Sequence, residues 1–213
     1  MLGCNFVVAR TARIIVAVLG LTLLYGCATP YIDTTLHDLT AAEKVKIANP
    51  QPVQLLFDFE TKGVHNGRGT DLAKKFAVTA IQDTGLFSQV SNDPVPSGAI
   101  LNVVVDNVPL TDDAYAKGFV TGLTLGLVGN TVGDGYVCTV DYLPGPNAPK
   151  ISKSMRDAIY TSIGATAGMP EHAQKMPGLQ KAFEAMIHKL VGNTVNEVAK
   201  DQAFGAAATV ASR

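Results

Sequence analysis

The sequence predicts an α/β fold of the α+β sandwich type, with a mixed or antiparallel sheet of about five strands, two helices packed on one face, and a Gly-rich apolar insert. Several segments alternate apolar and polar residues with a period of two, as half-buried strands do. Two other segments repeat apolar residues with the period of a helix. The order strand, helix, strand, strand, insert, strand, strand, helix then places both helices against one sheet.

The chain begins with the features of a bacterial export signal. Two arginines precede an uncharged run over residues 14–24, and Gly26 and Cys27 close that run, which is the order of a signal peptide and its cleavage site. The run is shorter than the about 20 apolar residues of a transmembrane helix, so the alternative of an uncleaved membrane anchor is the weaker one. A cysteine directly after Gly26 argues against plain soluble export. We therefore predict a signal peptide over residues 1–26.

The last four residues of this signal, Leu24-Tyr25-Gly26-Cys27, resemble the lipobox of bacterial lipoproteins. Leu24 and Gly26 match the positions that the processing peptidase recognises, whereas Tyr25 is bulkier than the residue usual there. The resemblance implies a diacylglyceryl thioether on Cys27 and acylation of its new amino group, with chains such as palmitate. Two or more chains hold a protein stably on a bilayer. Ala28 stands where an Asp would retain an enteric lipoprotein at the inner membrane, so the resemblance implies the periplasmic face of the outer membrane.

Charge and cysteine content limit the classes of function. Removal of the first 26 of 213 residues leaves 187, enough for one domain with a core, and changes the formal charge from −1 to −3 because the signal carries two arginines. This mildly acidic balance without a basic cluster argues against nucleic acid or an anionic lipid surface as the principal partner. Cys138 is the one cysteine left besides Cys27, so no internal disulfide is expected.

We divide the mature chain into three parts. Residues 27–50 are polar and weakly periodic, and we interpret them as a tether with a short helix near residues 41–47. Residues 51–202 are predicted to form a single periplasmic domain. Residues 203–213 are rich in Ala and are predicted to form a flexible tail.

The domain is expected to begin with a strand and a helix. In residues 52–60 one face carries the apolar Val53, Leu55, Phe57 and Phe59, which is typical of a strand with one buried face. The other face carries Gln54, Leu56, Asp58 and Glu60, and the two acidic residues are expected there as solvated charges. A helix then begins with Thr70 or Asp71 as its cap and ends before a glycine. That glycine is Gly85.

Four further strands and a second helix complete the domain. The last helix starts at Leu179 and has the clearest apolar period of the chain, so it is expected to pack on the sheet. The central strand is apolar on both faces at several points, as a buried strand would be. The strands are expected at residues 86–90, 99–108, 136–143 and 150–163.

This element order and apolar pattern resemble the small periplasmic lipoprotein domains of envelope assembly. The families are the penicillin-binding-protein activators, the curli secretion lipoprotein and the N-terminal domain of the Tol-system propeller protein. Residues 55–59, 83–87 and 100–105 carry the resemblance, within a span of about residues 52–200. Other bacterial lipoproteins with a Gly-rich insert match equally well. The resemblance implies a class of function, and it implies no catalytic residues.

Residues 118–133 form an apolar insert without a charged side chain. On a helix with about 100° per residue, its five glycines fall within an arc of about 80°, the small-xxx-small geometry that lets two apolar helices approach closely. This pattern predicts a glycine zipper for membrane insertion or self-association. The alternative is a buried connection between two strands, because each glycine costs about 1 kcal/mol in a helix and 16 residues span only about 24 Å. The five glycines are Gly118, Gly122, Gly126, Gly129 and Gly133.

The sequence predicts no catalytic centre and no metal site. The histidines have no ligand spacing, and no nucleophile or phosphate-binding motif occurs. Cys138 is expected to be a buried thiol, and His188 a solvated histidine on the last helix. The covalent lipid on Cys27 is then the one attached group that we expect. The histidines are His37, His65, His172 and His188.

Two classes of function follow from these observations. The leading hypothesis is a lipid-anchored, non-enzymatic outer-membrane lipoprotein that binds an envelope protein or assists an envelope assembly. The alternative is a periplasmic binder of an apolar small molecule or lipid. A deep apolar cavity would favour the alternative, whereas a filled core would favour a protein partner.

Overall fold

A computed structural model describes residues 28–110, 131–163 and 171–204. Within these ranges eight strands form one sheet and two long helices pack on it, and residues 202–204 are also helical. The elements in chain order are β1 (Ala28–Asp33), β2 (Gln51–Thr61), β3 (Val64–His65), α1 (Gly67–Thr84), β4 (Phe87–Ser91), β5 (Ile100–Leu110), β6 (Thr131–Leu143), β7 (Ile151–Ile163), β8 (Ala173–Lys175) and α2 (Leu179–Ala199).

The sheet is mixed, one of the two predicted alternatives, and it has eight strands where about five were predicted. Its strand order is β3-β2-β5-β6-β7-β1-β8, and β4 also pairs with β2. β2 runs parallel to β5 and to β4, while the other neighbours are antiparallel. All five predicted strands are present, but β1, β3 and β8 were not predicted. β3 and β8 contain two and three residues, which is too short for alternation to be visible in the sequence.

One hydrophobic core lies between the sheet and the two helices. Alternate side chains of the central strands point into it, because successive residues of a strand face opposite sides of the sheet. Complete burial of each of these side chains contributes about 1.5–3 kcal/mol. Leu179, predicted to belong to the apolar stripe of α2, is instead 62% exposed. Fully buried members of the core include Val53, Leu101, Val103, Val105, Val140, Met186, Ile187 and Leu190.

The cap of helix α1 lies four residues before the predicted Thr70 and five before the alternative, Asp71. Asn66 is its N-cap, and its Oδ1 accepts a hydrogen bond from the Gly69 N–H at 3.0 Å. Thr70 binds β2 instead, because its hydroxyl accepts a hydrogen bond from the Phe59 N–H at 2.9 Å. Gly85 ends the helix as predicted, with a left-handed φ of 73° that favours glycine.

The segment predicted as a tether begins with a strand of the sheet. Ala28 of β1 lies opposite Ile163 of β7, and Asp33 lies opposite Ala173 of β8. The structure therefore differs from the prediction over residues 28–33, because β1 is hydrogen-bonded on both sides.

The predicted helix near residues 41–47 is a turn. The carboxylate of Glu43 accepts hydrogen bonds from the Thr40 N–H at 2.9 Å and the Thr40 hydroxyl at 2.7 Å. These bonds hold the pKa of Glu43 at about 2. The turn does not continue into a helix, because the N–H of Val45 donates to the Asn196 side chain at 2.9 Å.

The strand after the Gly-rich insert begins at Thr131, earlier than predicted. Gly133 lies in this strand, opposite Leu110 of β5 and Tyr160 of β7. This differs from its predicted place on the edge of a helix, because both sides of its backbone belong to the sheet. The other four glycines of the predicted zipper lie outside the described residues. They are Gly118, Gly122, Gly126 and Gly129.

The start of the predicted tail is packed on the core. Phe204 is 3% exposed, and its ring centroid lies 4.9 Å from that of Tyr142 and 6.0 Å from that of Phe87. Such aromatic contacts add to the free energy of burial. Residues 205–213 lie outside the described residues.

Candidate functional site

Four polar side chains are buried where β1, β7 and α2 meet. We call them the buried polar cluster. Side chains of this kind cost several kcal/mol to bury unless each finds a partner. Three of them are 0% exposed and the fourth, Lys189, is 4% exposed. The members are Asp33, Asp157, Tyr160 and Lys189.

Lys189 is the central donor of the buried polar cluster. Its Nζ lies 3.1 Å from Oδ2 of Asp157, an oxygen that accepts no hydrogen bond of good geometry, so the contact is an ion pair. The other oxygen of Asp157 accepts a hydrogen bond from the Ala158 N–H at 2.8 Å. Nζ also donates to the carbonyl oxygens of Asp33 and, at 3.2 Å, of Leu36. One ammonium group thus joins α2 to β7 and to the chain after β1.

The carboxylate of Asp33 has two donors of its own. Its Oδ2 accepts a hydrogen bond from the Tyr160 hydroxyl at 2.9 Å, and its Oδ1 accepts one from the Thr35 N–H at 2.7 Å. Tyr160 lies on the sheet face opposite the helices, in a small second apolar cluster with Leu110 and Ala158. Asp33 therefore links the main core to this second cluster.

The buried polar cluster contains two carboxyl groups and one ammonium group, so it is neutral when one carboxyl is protonated. Burial raises the pKa of Asp157 to about 7, and the nearby ammonium of Lys189 opposes that rise. Burial and the neighbouring Asp33 also raise the pKa of Tyr160. Both shifts favour the protonated, uncharged form of the group concerned. The four side chains are closed off from solvent, so a bound molecule could not reach them for acid–base catalysis. Their contacts instead hold β1 in place.

Residues 34–50 lie along α2, and we call them the strap. The Oδ1 of Asn196 accepts a hydrogen bond from the Val45 N–H at 2.9 Å, and its Nδ2 donates to the Glu43 carbonyl at 3.0 Å. One turn earlier, the Nδ2 of Asn193 donates to the His37 carbonyl at 2.8 Å. Residues four and three apart share one face of a helix. The residues of α2 that hold the strap in this way are Lys189, Asn193 and Asn196.

His188 forms a second link between the strap and the helices. Its Nδ1 lies 2.9 Å from Asp38 of the strap, and its Nε2 lies 2.9 Å from Asp83 of α1. Partial burial lowers the pKa of His188, but the hydrogen bonds to Asp83 and Asp38 outweigh this effect and raise it. His188 lies at the surface as predicted, with its side chain 35% exposed, but the sequence did not indicate that it bridges two carboxylates.

Other residues singled out in the sequence have structural contacts. Cys138 is 0% exposed, as predicted, and burial raises its pKa to about 12, so the thiol is unreactive. Asp58 was expected to be a solvated charge, but its Oδ1 lies 2.6 Å from Nδ1 of His65 and accepts a hydrogen bond from the Thr70 hydroxyl at 3.0 Å. Asp58 therefore connects β2, β3 and α1.

The predicted lipidation signal lies outside the described residues, which begin at Ala28. This applies to Leu24, Gly26 and Cys27. Within the described ranges, no group of three or more His, Cys, Asp or Glu side chains is placed to hold a metal ion. In the same part of the chain, no helix combines the length and apolar character needed to cross a bilayer.

The buried polar cluster was missed in the sequence, although its sequence positions contain a signal. Period two places Asp157 on the same face of β7 as Met155 and Ile159. Lys189 comes three residues after Met186 in the helix with the strongest apolar period, so the two share one helix face. A charged residue in phase with an apolar face is the pattern that could have identified both residues.

Pockets on the described surface are of three kinds. One open pocket of about 370 Å³ is lined by polar and charged side chains, among them Lys153, Lys200 and Asp201. An open groove of about 290 Å³ runs between α1 and α2 and is lined in part by Phe76, Met176, Ala185 and His188. Two pockets that reach the core are much smaller. One of about 20 Å³ lies beside Phe204, and one of about 60 Å³ lies beside Lys189 and His188. A water molecule occupies about 30 Å³ in the liquid, so these two pockets are too small for an organic ligand.

No protein-family model and no curated protein matches this chain. Among solved structures it is similar to a PelC dodecamer from Paraburkholderia phytofirmans, with 14% identity over 70% of this chain and 88% of that chain and a TM-score of 0.34. A neuraminyllactose-binding hemagglutinin homologue from Helicobacter pylori has 10% identity over 83% of this chain and 96% of its own, with a TM-score of 0.41. Rare lipoprotein B from Shewanella oneidensis has 9% identity over 76% of this chain and 100% of its own, with a TM-score of 0.33. Similarity at this level brings no function to the chain.

Proposed function

We propose that this protein is a lipid-anchored, non-enzymatic lipoprotein of the outer membrane that faces the periplasm and binds another envelope protein or assists an envelope assembly. The lipid would be attached to Cys27, after cleavage at the signature formed by Leu24 and Gly26. Its partners would be the membrane and an envelope protein, and no nucleic acid or cofactor other than the covalent lipid is expected.

This proposal rests on one observation. The lipobox-like residues 24–27 are followed immediately by a strand that is hydrogen-bonded into the sheet. Ala28 is the first residue of β1 and lies opposite Ile163. The buried polar cluster and the strap then hold the chain that follows β1. A lipid on Cys27 would therefore be joined to the folded sheet by a single peptide bond, and the lipid would position the whole domain on the membrane.

The filled core supports a protein partner over a buried ligand. The pockets beside Phe204 and Lys189 hold about 20 and 60 Å³, whereas sites for small molecules usually measure about 300–1,000 Å³. A protein partner needs only a complementary surface, which a filled domain can provide.

Lipid attachment and partner binding can be tested with one pair of proteins. The full-length chain should gain the mass of the acyl groups at Cys27 and sediment with outer membranes, while Cys27→Ser should do neither. Crosslinking in intact envelopes followed by purification should then recover a defined protein with the wild type, and Cys27→Ser serves as the unanchored control. Recovery of lipid with no crosslinked protein would contradict the partner proposal and favour the alternative function.

The alternative function, binding of an apolar small molecule or lipid, has one site in its favour. The groove between the helices has about 290 Å³ and presents the apolar side chains of Phe76, Met176 and Ala185. Native mass spectrometry of the purified protein should show a bound molecule if this groove is a ligand site. Met176→Asp would then release the molecule, and the exposed substitution Gln82→Asp would retain it.

The membrane or self-association role of the Gly-rich segment stays a prediction. Replacement of residues 118–130 by a Ser-rich segment of equal length would remove four of the zipper glycines and leave β6 intact. Light scattering measures oligomer size and so tests self-association. Extraction by mild detergent tests membrane insertion. Unchanged results in both assays would reject them together. The glycines removed are Gly118, Gly122, Gly126 and Gly129, whereas Gly133 remains in its strand.

A further inference from the structure

Exposed apolar side chains are concentrated at one end of the protein. Among the described residues, four large apolar side chains are exposed. Leu56, 44% exposed, lies on the outer face of β2, whereas Val64, Leu72 and Leu179 are 68%, 47% and 62% exposed. We call these last three the apolar tips.

The first apolar tip lies at the end of β2. Val64 is paired with Thr61, the last residue of that strand. Helix α1 starts beside the same strand end, because a Cβ on Gly69 would lie 2.4 Å from the Phe59 ring. The start of α1 and the β2–β3 turn are therefore neighbours.

The other two apolar tips lie one turn before two aromatic residues in contact. Leu72 precedes Phe76 by four residues and Leu179 precedes Phe183 by four residues, so each pair shares a helix face. The rings of Phe76 and Phe183 have centroids 6.5 Å apart. The Phe183 ring also lies 5.8 Å from that of Phe59, near the end of β2. Both helices therefore begin at this end, and Leu72 and Leu179 lie one turn before the ring contact.

This end of the molecule is also the end where the described chain begins. Thr61, the last residue of β2, pairs with Asn107 of β5, and β5 ends three residues later at Leu110. The two parallel strands therefore end at the same end of the sheet. β1 begins at the corresponding end of the sheet, with Ala28 opposite Ile163. Four steps of about 4.8 Å separate β2 from β1 across the sheet, or about 20 Å. Cys27 comes one residue before Ala28, which is at most about 3.6 Å of extended chain.

We propose that the apolar tips Val64, Leu72 and Leu179 rest on the bilayer to which the lipid on Cys27 is attached. This inference depends on the proposed lipidation of Cys27. Because β1 and the strap leave no free spacer, the acyl chains bring this end of the sheet to the membrane surface. Transfer of exposed apolar side chains from water into the interface between headgroups and acyl chains is favourable. The domain is then fixed in orientation by two kinds of contact.

The test uses the lipidated full chain in vesicles of phosphatidylethanolamine and phosphatidylglycerol. Val64→Cys, Leu72→Cys and Leu179→Cys are each labelled with an environment-sensitive fluorophore, and quenching by a spin-labelled lipid is measured. Leu56→Cys is the matched control, because it is also an exposed apolar residue but lies on the sheet face. The wild type is the blank, since Cys138 is buried and Cys27 carries the lipid.

The expected result is quenching at the three apolar tips at least threefold stronger than at Leu56. Quenching no stronger than at Leu56, in protein whose mass shows the acyl chains, would overturn this inference and leave the lipid anchor intact. Crosslinking between two copies through Leu179→Cys without lipid quenching would assign the apolar tips to a second copy of the chain and also overturn it. Absence of the acyl mass would reject the anchor and this inference together.

Discussion

The ammonium nitrogen of Lys189 lies 3.1 Å from Oδ2 of Asp157 inside the protein, where the two side chains are 4% and 0% exposed. The same nitrogen donates to the backbone carbonyl of Asp33 at the end of β1. The last helix therefore holds both β7 and the first strand after the predicted lipidation site. Loss of this one ammonium would affect the core and the attachment of the domain to its anchor together.

Replacement of Lys189 by Met should be strongly destabilising. The variant keeps most of the aliphatic volume but leaves Asp157 without its counter-charge and two carbonyl oxygens without a donor. Removal of one partner of a buried pair costs about 3–5 kcal/mol. Urea unfolding followed by circular dichroism measures the loss, and the double variant Lys189→Met with Asp157→Leu should recover a large part of it.

Lys181→Met is the matched control for that substitution. Lys181 also lies on α2 and pairs with Glu184 at 2.9 Å, but the pair is exposed. Exposed pairs contribute about 0–1 kcal/mol. Equal losses for Lys181→Met and Lys189→Met would show that the buried ion pair does not stabilise the fold.

The stability of the protein should fall as the pH rises from 5 to 8.5. Burial raises the folded pKa of Asp157 from 3.8 to about 7, so its contribution is fully present below about pH 4 and is lost as the pH approaches 7. The pKa of His188 is raised above 6.5 by its two carboxylates, against the effect of burial. Its contribution is therefore fully present below pH 6.5 and is lost as the pH rises through the folded pKa.

Two variants separate these contributions. Asp157→Asn should flatten the curve of unfolding free energy between pH 5 and 7, and His188→Gln should flatten it above pH 6.5. Urea unfolding at constant ionic strength gives the curve. The pKa of Glu43 is lowered from 4.5 to about 2 in the folded protein. Its contribution to stability therefore changes with pH only below the range of pH 5 to 8.5. A free energy of unfolding that rises across the range would contradict the assignment of both groups.

Asn196→Ala should loosen the strap. The substitution leaves the Val45 N–H and the Glu43 carbonyl without their partner, and an unsatisfied polar group in a partly buried place costs about 1–3 kcal/mol. Hydrogen exchange should become faster at Val45, while amides of the sheet are less affected. Gln82→Ala, at an exposed position of α1, should change neither the exchange rate at Val45 nor the free energy of unfolding. Unchanged exchange at Val45 would mean that the strap is held by other contacts.

The sequence was sufficient to predict the elements that are stabilised by apolar alternation. In β2, Val53 and Leu55 lie on either side of the polar Gln54 and are buried as expected. In β1 the contrast is weak, because the strand contains Pro30 and ends in the buried Asp33. Burial of Asp33 depends on Tyr160, which is 127 residues away. Only the folded chain brings these partners together.

The strap could not be predicted because it is held by polar groups. Asn193 and Asn196 bind backbone carbonyls and an N–H of the strap, and every non-proline residue offers such groups whatever its side chain. A polar sequence without periodicity is therefore compatible both with a free tether and with a segment bound to the domain. Here the segment is bound because of side chains on the last helix, which its own sequence does not reveal.

Gly69→Ala should destabilise the contact between α1 and β2. A Cβ at this position would lie 2.4 Å from Cδ1 of Phe59. The Phe59 ring has little freedom to move, because it is 6% exposed and packs on Phe183 at 5.8 Å and on Tyr136 at 6.4 Å between centroids. Forcing extra volume into such a place costs about 1–3 kcal/mol.

Gly67→Ala is the matched control in the same first turn of α1. Its Cβ would meet only Nε2 of the exposed His65, at 3.5 Å, which is an ordinary contact. Alanine is favoured over glycine in a helix by about 0.5–1 kcal/mol, so this variant should be neutral or more stable. Urea midpoints measure both. Equal midpoints would mean that the Phe59 ring gives way, and that the close approach of α1 to β2 does not require glycine at position 69.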